Sequence, residues 1–250
     1  MTRAEAVRRL VVALDTADRA RATELARRLR DVVGMVKVGL EAFTAFGPEF
    51  VAQLVEEGTR VFLDLKLHDI PHTVERAAAR CARLGVSIFN VHAAGGPEML
   101  RAAVAGADAG TPAGRRRPEI LAVTVLTSLD DESLQLLGVH GTAAEVVERW
   151  ARLSQQAGCN GVVCSAQEAA ALRGCLGEKF ILLTPGIRPA GAAVVDQKRV
   201  VTPAAAIAAG ATYLVVGRPI TAAPEPARAA EAIIAEMCAA SPPQTQREGA

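Results

Sequence analysis

Aromatic residues are scarce in this sequence, in which one Trp, one Tyr and six Phe make up 3% of 250 residues. Proteins that hold single-stranded nucleic acid without sequence preference stack its bases on aromatic rings, so this composition disfavours that function. An excess of charge is also missing, because 28 Lys and Arg face 27 Asp and Glu, for a net charge of +1. We therefore expect no nucleic-acid or membrane partner, and any anion site must be built locally.

Paired cysteines and long apolar runs are absent as well. Five cysteines are an odd number, and none forms the C-x-x-C pair typical of a zinc or redox site. His68 and His72 are four residues apart, but a proline and a strand end lie between them, so we predict no metal. The apolar run 10–14 ends at Asp15 and is too short for a signal peptide or a membrane span. These observations predict a cytoplasmic protein.

Apolar segments typical of strands recur along the chain and alternate with segments of helical spacing. The strands are predicted to begin near Leu10, Met35, Arg60, Ser87, Glu119, Gly161, Phe180 and Tyr213. Helices are predicted over residues 19–30, 48–57, 71–85, 130–137, 142–157 and 225–239. Eight such units, with 50% apolar residues to fill one core, predict an α/β fold: a single-domain (β/α)8 TIM barrel over residues 1–240. The polar tail 241–250 has no periodicity and is predicted to be disordered.

The stretch FLDLKLHDIPHTV, residues 62–74, places charged side chains at the end of the third predicted strand. Its strict alternation puts Asp64 and Lys66 on one face, several ångströms apart and opposite a wholly aliphatic face. Asp69 follows in a loop, because Pro71 stops the strand and holds the preceding residue extended. Strand geometry does not bring Asp69 to that face, so we expect it to act at a neighbouring strand or on another chain.

Two earlier strand ends carry charges of alternating sign. Asp15 follows the first strand and Lys37 lies in the second, so three consecutive strands supply acid, base, acid and base to neighbouring positions. A single charged residue at a strand end is more often structural, and the four residues could form a salt-bridge cluster that closes the top of the barrel. Active sites of this fold lie at the carboxyl ends of the strands, and the joint occurrence favours function.

The last two strands end in glycine and arginine. Gly186 precedes Arg188 after the seventh strand, and Gly217 precedes Arg218 after the eighth. Loops at these positions often bind phosphate, with glycine permitting close backbone approach and arginine supplying a forked cation. Between the seventh and eighth strands, residues 189–199 are predicted to form a mobile lid that carries Gln197.

Two further loop segments were considered. The fifth strand is predicted to run over 119–128, so that Thr127 or Ser128 could hydrogen-bond a ligand carbonyl or cap the next helix. The run Arg115, Arg116 and Arg117 is interpreted as a solvated loop rather than a nucleic-acid site.

Five motifs in this order closely resemble the orotidine 5'-phosphate decarboxylase family. They are ALD at 13–15, KVG at 37–39, FLDLKLHDIPHT at 62–73, LTPGIRP at 183–189 with DQKR at 196–199, and VGRPI at 216–220. The resemblance leaves only the tail outside, and it implies decarboxylation of orotidine 5'-phosphate (OMP) to UMP, the last step of UMP biosynthesis. It further implies a cofactor-free lyase that works as a homodimer with shared active sites.

The resemblance also implies individual roles. Lys66 would donate the proton to C6, within a charged network of Asp64, Lys37 and the partner subunit's Asp69. Asp15 and Lys37 would hold the ribose hydroxyls, Ile70 and Thr73 would reach across the dimer interface, and Thr127 would contact the pyrimidine. Arg188, Gln197, Gly217 and Arg218 would fix the phosphate. The sequence departs from the family at His72, where many members carry asparagine, and little effect is expected.

The sequence leaves two alternative functions open. A metal-dependent ketose-phosphate lyase of the same superfamily shares the Asp-x-Lys strand end and the phosphate loops, but its activity would need a metal. A noncatalytic nucleotide-phosphate binding protein would keep the barrel and lose a charged residue of the network, and none is missing.

Overall fold

Eight parallel strands close into a barrel in chain order in the computed structural model, which describes residues 1–189 and 201–240. The strands are β1 Leu10–Ala13, β2 Met35–Gly39, β3 Val61–Leu67, β4 Ile88–His92, β5 Glu119–Val123, β6 Gly161–Val163, β7 Ile181–Thr184 and β8 Tyr213–Val216. β1 pairs with both β2 and β8, which closes the ring. The predicted (β/α)8 TIM barrel is confirmed, and each strand begins within one residue of its predicted start.

Helices cover the outside of the barrel. They are α1 Arg3–Arg9, α2 Arg19–Leu29, α3 Leu40–Glu56, α4 Pro71–Arg83, α5 Gly96–Gly110, α6 Asp131–Leu136, α7 Ala143–Gln156, α8 Ala166–Leu176, α9 Pro203–Ala208, α10 Arg218–Thr221 and α11 Pro226–Cys238, with a 3-10 turn at Ala93–Gly95. None of the helices in the described ranges combines the length and apolar character that crossing a bilayer requires. The tail 241–250 lies outside the described residues, so its predicted disorder stays a prediction.

Two local predictions were wrong, and the N-terminal helix was missed. Helix α1 was not predicted; Thr2 begins it with a capping box that Glu5 completes. The helix predicted over 48–57 begins at Leu40, because helical turns also precede Gly47, whose φ of 72° interrupts the helix before Pro48 restarts it. The fifth strand ends at Val123 rather than at 128.

The early end of β5 moves Thr127 and Ser128 off the sheet. After the strand, Thr124 still donates to the Val163 carbonyl from its backbone N–H and its hydroxyl. The chain then turns, with the Leu129 N–H donating to the Leu126 carbonyl. Val125 and Leu126 continue the apolar sequence beyond the hydrogen bond from Thr124 to β6. The predicted strand was too long because apolar character alone does not show where pairing ends.

Packed side chains fill the centre of the barrel. The inward-facing cluster consists of Val11, Ala13, Met35, Phe62, Ile88, Leu121, Leu183 and Val215. Two larger clusters fill the space between strands and helices. Because the interior is packed, no ligand can occupy the barrel axis. The barrel has two ends: the C-terminal rim, where the strands end and where active sites of this fold lie, and the N-terminal rim, where the strands begin.

Candidate active site

A local irregularity at the end of β3 joins Asp64 to Lys66. The Lys66 Nζ lies 2.6 Å from Asp64 Oδ1. Regular alternation predicts separated side chains, but the register with β4 shifts between Leu63 and Leu67. Lys66 also has a φ of 52° and is the one non-glycine residue with positive φ in the described ranges. Such a backbone costs energy and persists only where surrounding contacts hold it.

Asn90, in β4, holds this irregular backbone, and the sequence reasoning missed it. Its Oδ1 accepts the Lys66 backbone N–H at 2.8 Å, and its Nδ2 donates to Asp64 Oδ1 at 2.7 Å. The residue is 1% exposed. One amide thus fixes both the backbone of the lysine and the carboxylate it contacts. The signal was available: Asn90 is a polar residue inside the apolar strand IFNVH.

Lys37, in β2, extends the network toward β1. Its Nζ lies 3.2 Å from Asp64 Oδ2 and 2.9 Å from Asp15 Oδ1. Gly39 leaves the space for this contact, since a Cβ there would lie 2.7 Å from Lys37 Nζ and 3.1 Å from Asp15 Oδ1. The predicted acid, base, acid and base of three strands are therefore one connected network at the C-terminal rim.

Opposite charges outweigh burial in this network. Burial disfavours the charged form of Asp64, but Lys37 and Lys66 overcome that cost and lower its pKa below the ordinary value. Burial likewise opposes the charged Lys37, but Asp64 and Asp15 raise its pKa. Both groups are ionised at neutral pH, so the network presents fixed charges of alternating sign to whatever binds beside it.

A cavity of about 460 Å³ opens next to the network. Its wall includes Asp15, Lys37, Asp64, Gly186, Arg188, Gly217 and Arg218. Glu41, in the first turn of α3, also lines the cavity and was not predicted. The volume lies within the range of about 300–1,000 Å³ typical of small-ligand sites. The wall thus combines three charged side chains of the network with two arginines and two glycines from the ends of β7 and β8.

Several predicted site residues do not join this network within the chain. Asp69 is exposed and its Oδ1 accepts the Ile70 backbone N–H at 2.7 Å. Ile70 is 67% exposed, and Thr73 is exposed in the first turn of α4. Thr127 is half-buried in the turn after β5. Gln197 and all but the first residue of the predicted lid at 189–199 lie outside the described residues.

The described residues contain no cluster suited to a metal ion. Across residues 1–189 and 201–240, no group of three or more His, Cys, Asp or Glu side chains is placed to hold a metal ion. The carboxylate oxygens of Asp64 instead face Lys37, Lys66 and the Asn90 amide. Each is occupied by a nitrogen donor.

The chain is similar to known proteins over most of its length. The model of the orotidine 5'-phosphate decarboxylase / HUMPS family matches residues 8–233. An orotidine 5'-phosphate decarboxylase from Moorella thermoacetica is 52% identical over 239 residues, covering 95% of each chain. One from Nitrosococcus oceani is 52% identical over 229 residues, covering 92% of this chain and 97% of the relative. The crystal structure of the enzyme from Lactobacillus acidophilus superposes with a TM-score of 0.83 at 40% identity, covering 91% of this chain and 98% of the other.

Proposed function

Because this chain belongs to the orotidine 5'-phosphate decarboxylase / HUMPS family, we propose that Lys66 is the group that protonates C6 of its substrate. The reaction is the decarboxylation of OMP to UMP and CO2, a carbon-carbon lyase step that ends UMP biosynthesis. The observation that carries the proposal is the 2.6 Å contact between Lys66 and Asp64 at the end of β3. It puts an ammonium and a carboxylate side by side at the rim where substrates bind in this fold.

The chemistry explains why such a pair is useful. Loss of CO2 from C6 leaves an electron pair in the plane of the pyrimidine ring, where the ring cannot delocalise it, so electrostatic stabilisation has to lower the barrier. In our proposal Asp64 lies against the departing carboxylate, and Lys66 lies beside C6. As negative charge moves from the carboxylate to the carbon, repulsion from Asp64 falls and attraction to Lys66 grows. A proton then passes from Nζ to C6, and the neutral amine regains one from solvent.

The remaining residues bind the parts of OMP that do not react. We assign Asp15 and Lys37 to the ribose hydroxyls, and Arg188, Gly217, Arg218 and Gln197 to the phosphate. Two observations support this assignment: Lys37 contacts both Asp15 and Asp64, and Arg188, Gly217 and Arg218 line the same cavity as these residues. Phosphate binding would supply energy remote from the bond that breaks. Thr127 is proposed to contact the pyrimidine.

Asp69, Ile70 and Thr73 are proposed to act in a neighbouring active site across a homodimer interface. Two observations support this. Asp69 bonds within its own loop rather than to its own network, and the adjacent Ile70 is a large apolar side chain that is 67% exposed. An exposed isoleucine beside an exposed carboxylate suits a surface that a second subunit covers. We propose the cytoplasm as the location, and no cofactor.

Incubation with OMP tests the reaction directly. Equal amounts of UMP and CO2 are expected, with the same rate after dialysis against a chelator. Formation of UMP at a rate that the chelator does not change supports the decarboxylase. Activity that the chelator abolishes and Mg²⁺ restores would support the metal-dependent lyase. Bound OMP recovered unchanged would indicate a noncatalytic binding protein.

Mixing two inactive variants tests the shared site. Lys66→Ala and Asp69→Ala are each expected to be inactive alone. In a mixed dimer one of the two sites recovers both residues, so activity should return after subunit exchange. Sedimentation of each variant confirms that it assembles. Dimeric variants that exchange subunits yet stay inactive together would refute the sharing of Asp69.

A further inference from the structure

A second cavity, of about 610 Å³, lies at the N-terminal rim, at the opposite end of the barrel from the candidate active site. Its wall contains the six arginines Arg8, Arg9, Arg60, Arg115, Arg116 and Arg117. Glu5 and Glu119 are the two carboxylates of the wall. Six positive and two negative charges give an excess of four in one concavity, in a chain whose net charge is +1.

The two glutamates neutralise only part of this positive charge. One Glu5 oxygen, Oε2, accepts hydrogen bonds from the Thr2 backbone N–H and hydroxyl, and these bonds together with the nearby Arg9 charge lower the pKa of Glu5. Glu119 pairs with Arg116 at 2.9 Å, and its other oxygen is buried without a hydrogen-bond partner in the described residues. Arg117 pairs outside the cavity wall, with Asp108 at 3.1 Å. Within the ranges described, Arg8, Arg60 and Arg115 make no ion pair and no side-chain hydrogen bond.

Local structure accounts for only part of this cluster. Arg8 and Arg9 lie in the last turn of α1, where a cation is favoured by the C-terminal end of the helix dipole. Arg60 directly precedes β3, and Arg115 lies in the loop between α5 and β5, so neither has that reason to be there. The Arg115 Nη1 would lie 3.4 Å from a Cβ at Gly85, in the segment between α4 and β4. Loops from different parts of the chain thus bring guanidinium groups to one place.

We propose that this cavity binds a small polyphosphate, either as the free ion or as the triphosphate group of a nucleotide. Guanidinium groups form forked hydrogen bonds to phosphate oxygens, and a chain of phosphates presents enough oxygens for several of them. A bound polyanion would relieve the mutual repulsion of arginines that lack acidic partners. The volume suits a small molecule rather than a long strand, and few aromatic rings are present to stack bases.

The site is separate from the OMP phosphate position, because one lies where the strands begin and the other where they end. The proposal therefore does not depend on the proposed function. It gives the three-arginine loop, interpreted from sequence as merely solvated, a binding role.

Isothermal titration with sodium tripolyphosphate tests the proposal on the full chain. The double variant Arg60→Ala/Arg115→Ala should weaken binding about tenfold or more, since it removes two direct phosphate partners. The matched control Arg80→Ala/Arg101→Ala removes two exposed arginines of α4 and α5 and should stay within about twofold. Glu119→Gln should tighten binding severalfold, because it removes a negative charge and keeps the shape. Turnover of OMP and thermal melting check that each variant is folded.

The outcomes separate the possible ligands. UTP binding more tightly than both ATP and tripolyphosphate would support a pyrimidine nucleotide, and equal binding of all three would support the free polyphosphate. Equal affinity of the wild type and both double variants would overturn the proposal, since binding would then lie elsewhere, such as at Arg188 and Arg218. A single-stranded oligonucleotide that binds more tightly than tripolyphosphate and loses binding in Arg60→Ala/Arg115→Ala would also overturn it, in favour of nucleic acid.

Discussion

The two rims of the barrel use charge in opposite ways. At the C-terminal rim Asp15, Lys37, Asp64 and Lys66 alternate in sign and contact one another at 2.6 to 3.2 Å. At the N-terminal rim the arginines share one sign, and several have no partner in the described residues. Paired, partly buried charges hold a fixed geometry, which suits a reaction. Unpaired, exposed charges attract an anion without fixing its position so closely, which suits binding.

Removal of a lysine should distinguish the rims most strongly. Lys66→Ala is expected to lower kcat by roughly 10⁴-fold or more, because it deletes both the proton donor and the positive charge at C6. UMP binding should remain measurable by calorimetry. The control Lys179→Ala changes an exposed lysine just before β7, at the N-terminal rim, and should leave kcat unchanged. Near-normal turnover in Lys66→Ala would refute its assigned role.

The stability of Asp64 variants should depend on pH in a defined direction. Asp64→Asn leaves Lys37 and Lys66 with less counter-charge and should lower the free energy of unfolding at pH 7 by roughly 3 kcal/mol. The folded-state pKa of Asp64 lies below its ordinary value of 3.8, so its contribution is present above pH 3.8 and is lost as the pH falls through the lower folded-state value. The difference between wild type and variant should therefore shrink in urea unfolding below that pH. A difference that is constant or grows on acidification would contradict the assignment.

Asn90 should matter for turnover more than an asparagine at the other rim. Asn90→Ala leaves the Lys66 N–H and one Asp64 oxygen without a partner, which is expected to lower kcat about 10- to 100-fold with a smaller change in KM. Asn160 is the matched control, since its Oδ1 accepts the Ile120 backbone N–H at 2.9 Å near the start of β6. Asn160→Ala should lower the melting temperature and leave kcat of the folded enzyme unchanged. Equal losses of kcat in both variants would show a structural role only.

Substitution of one glycine at each rim should give the smallest difference between the rims. Gly39→Ala would place a methyl group against the flexible ends of Lys37 and Asp15, so we expect a several-fold loss of kcat/KM with little loss of stability. Gly34→Ala, before β2, would place its Cβ 2.4 Å from the Arg8 carbonyl oxygen. Backbone cannot yield as a side chain does, so we expect about 1–3 kcal/mol of destabilisation and unchanged kcat/KM. Kinetics and urea unfolding check both variants. Unchanged kcat/KM in Gly39→Ala together with a loss of kcat/KM in Gly34→Ala would mean that displacing Lys37 and Asp15 does not affect the reaction.

Predictions from the sequence were most accurate where one short segment contains the whole signal. Alternation and apolar content predicted the eight strands, and the position of charged residues at strand ends predicted that Asp15, Lys37, Asp64, Lys66, Arg188 and Arg218 lie at one rim. Predictions were poorest where a second segment sets the outcome. The end of β5 depends on its pairing with β6, and the contact between Lys66 and Asp64 depends on an amide from β4.

The amino-acid pattern alone determined the architecture and the residues that could be charged at the strand ends, because burial periodicity and residue type are local properties of the chain. Tertiary structure decided which of those charges touch. Pairing of β3 with β4 brings Asn90 to Lys66, and the barrel gathers arginines from α1, the residue before β3 and the loop before β5 into one cavity. Such meetings depend on distances between segments far apart in the chain. A coulombic or hydrogen-bonding contact acts over a few ångströms, and only the folded chain sets those distances.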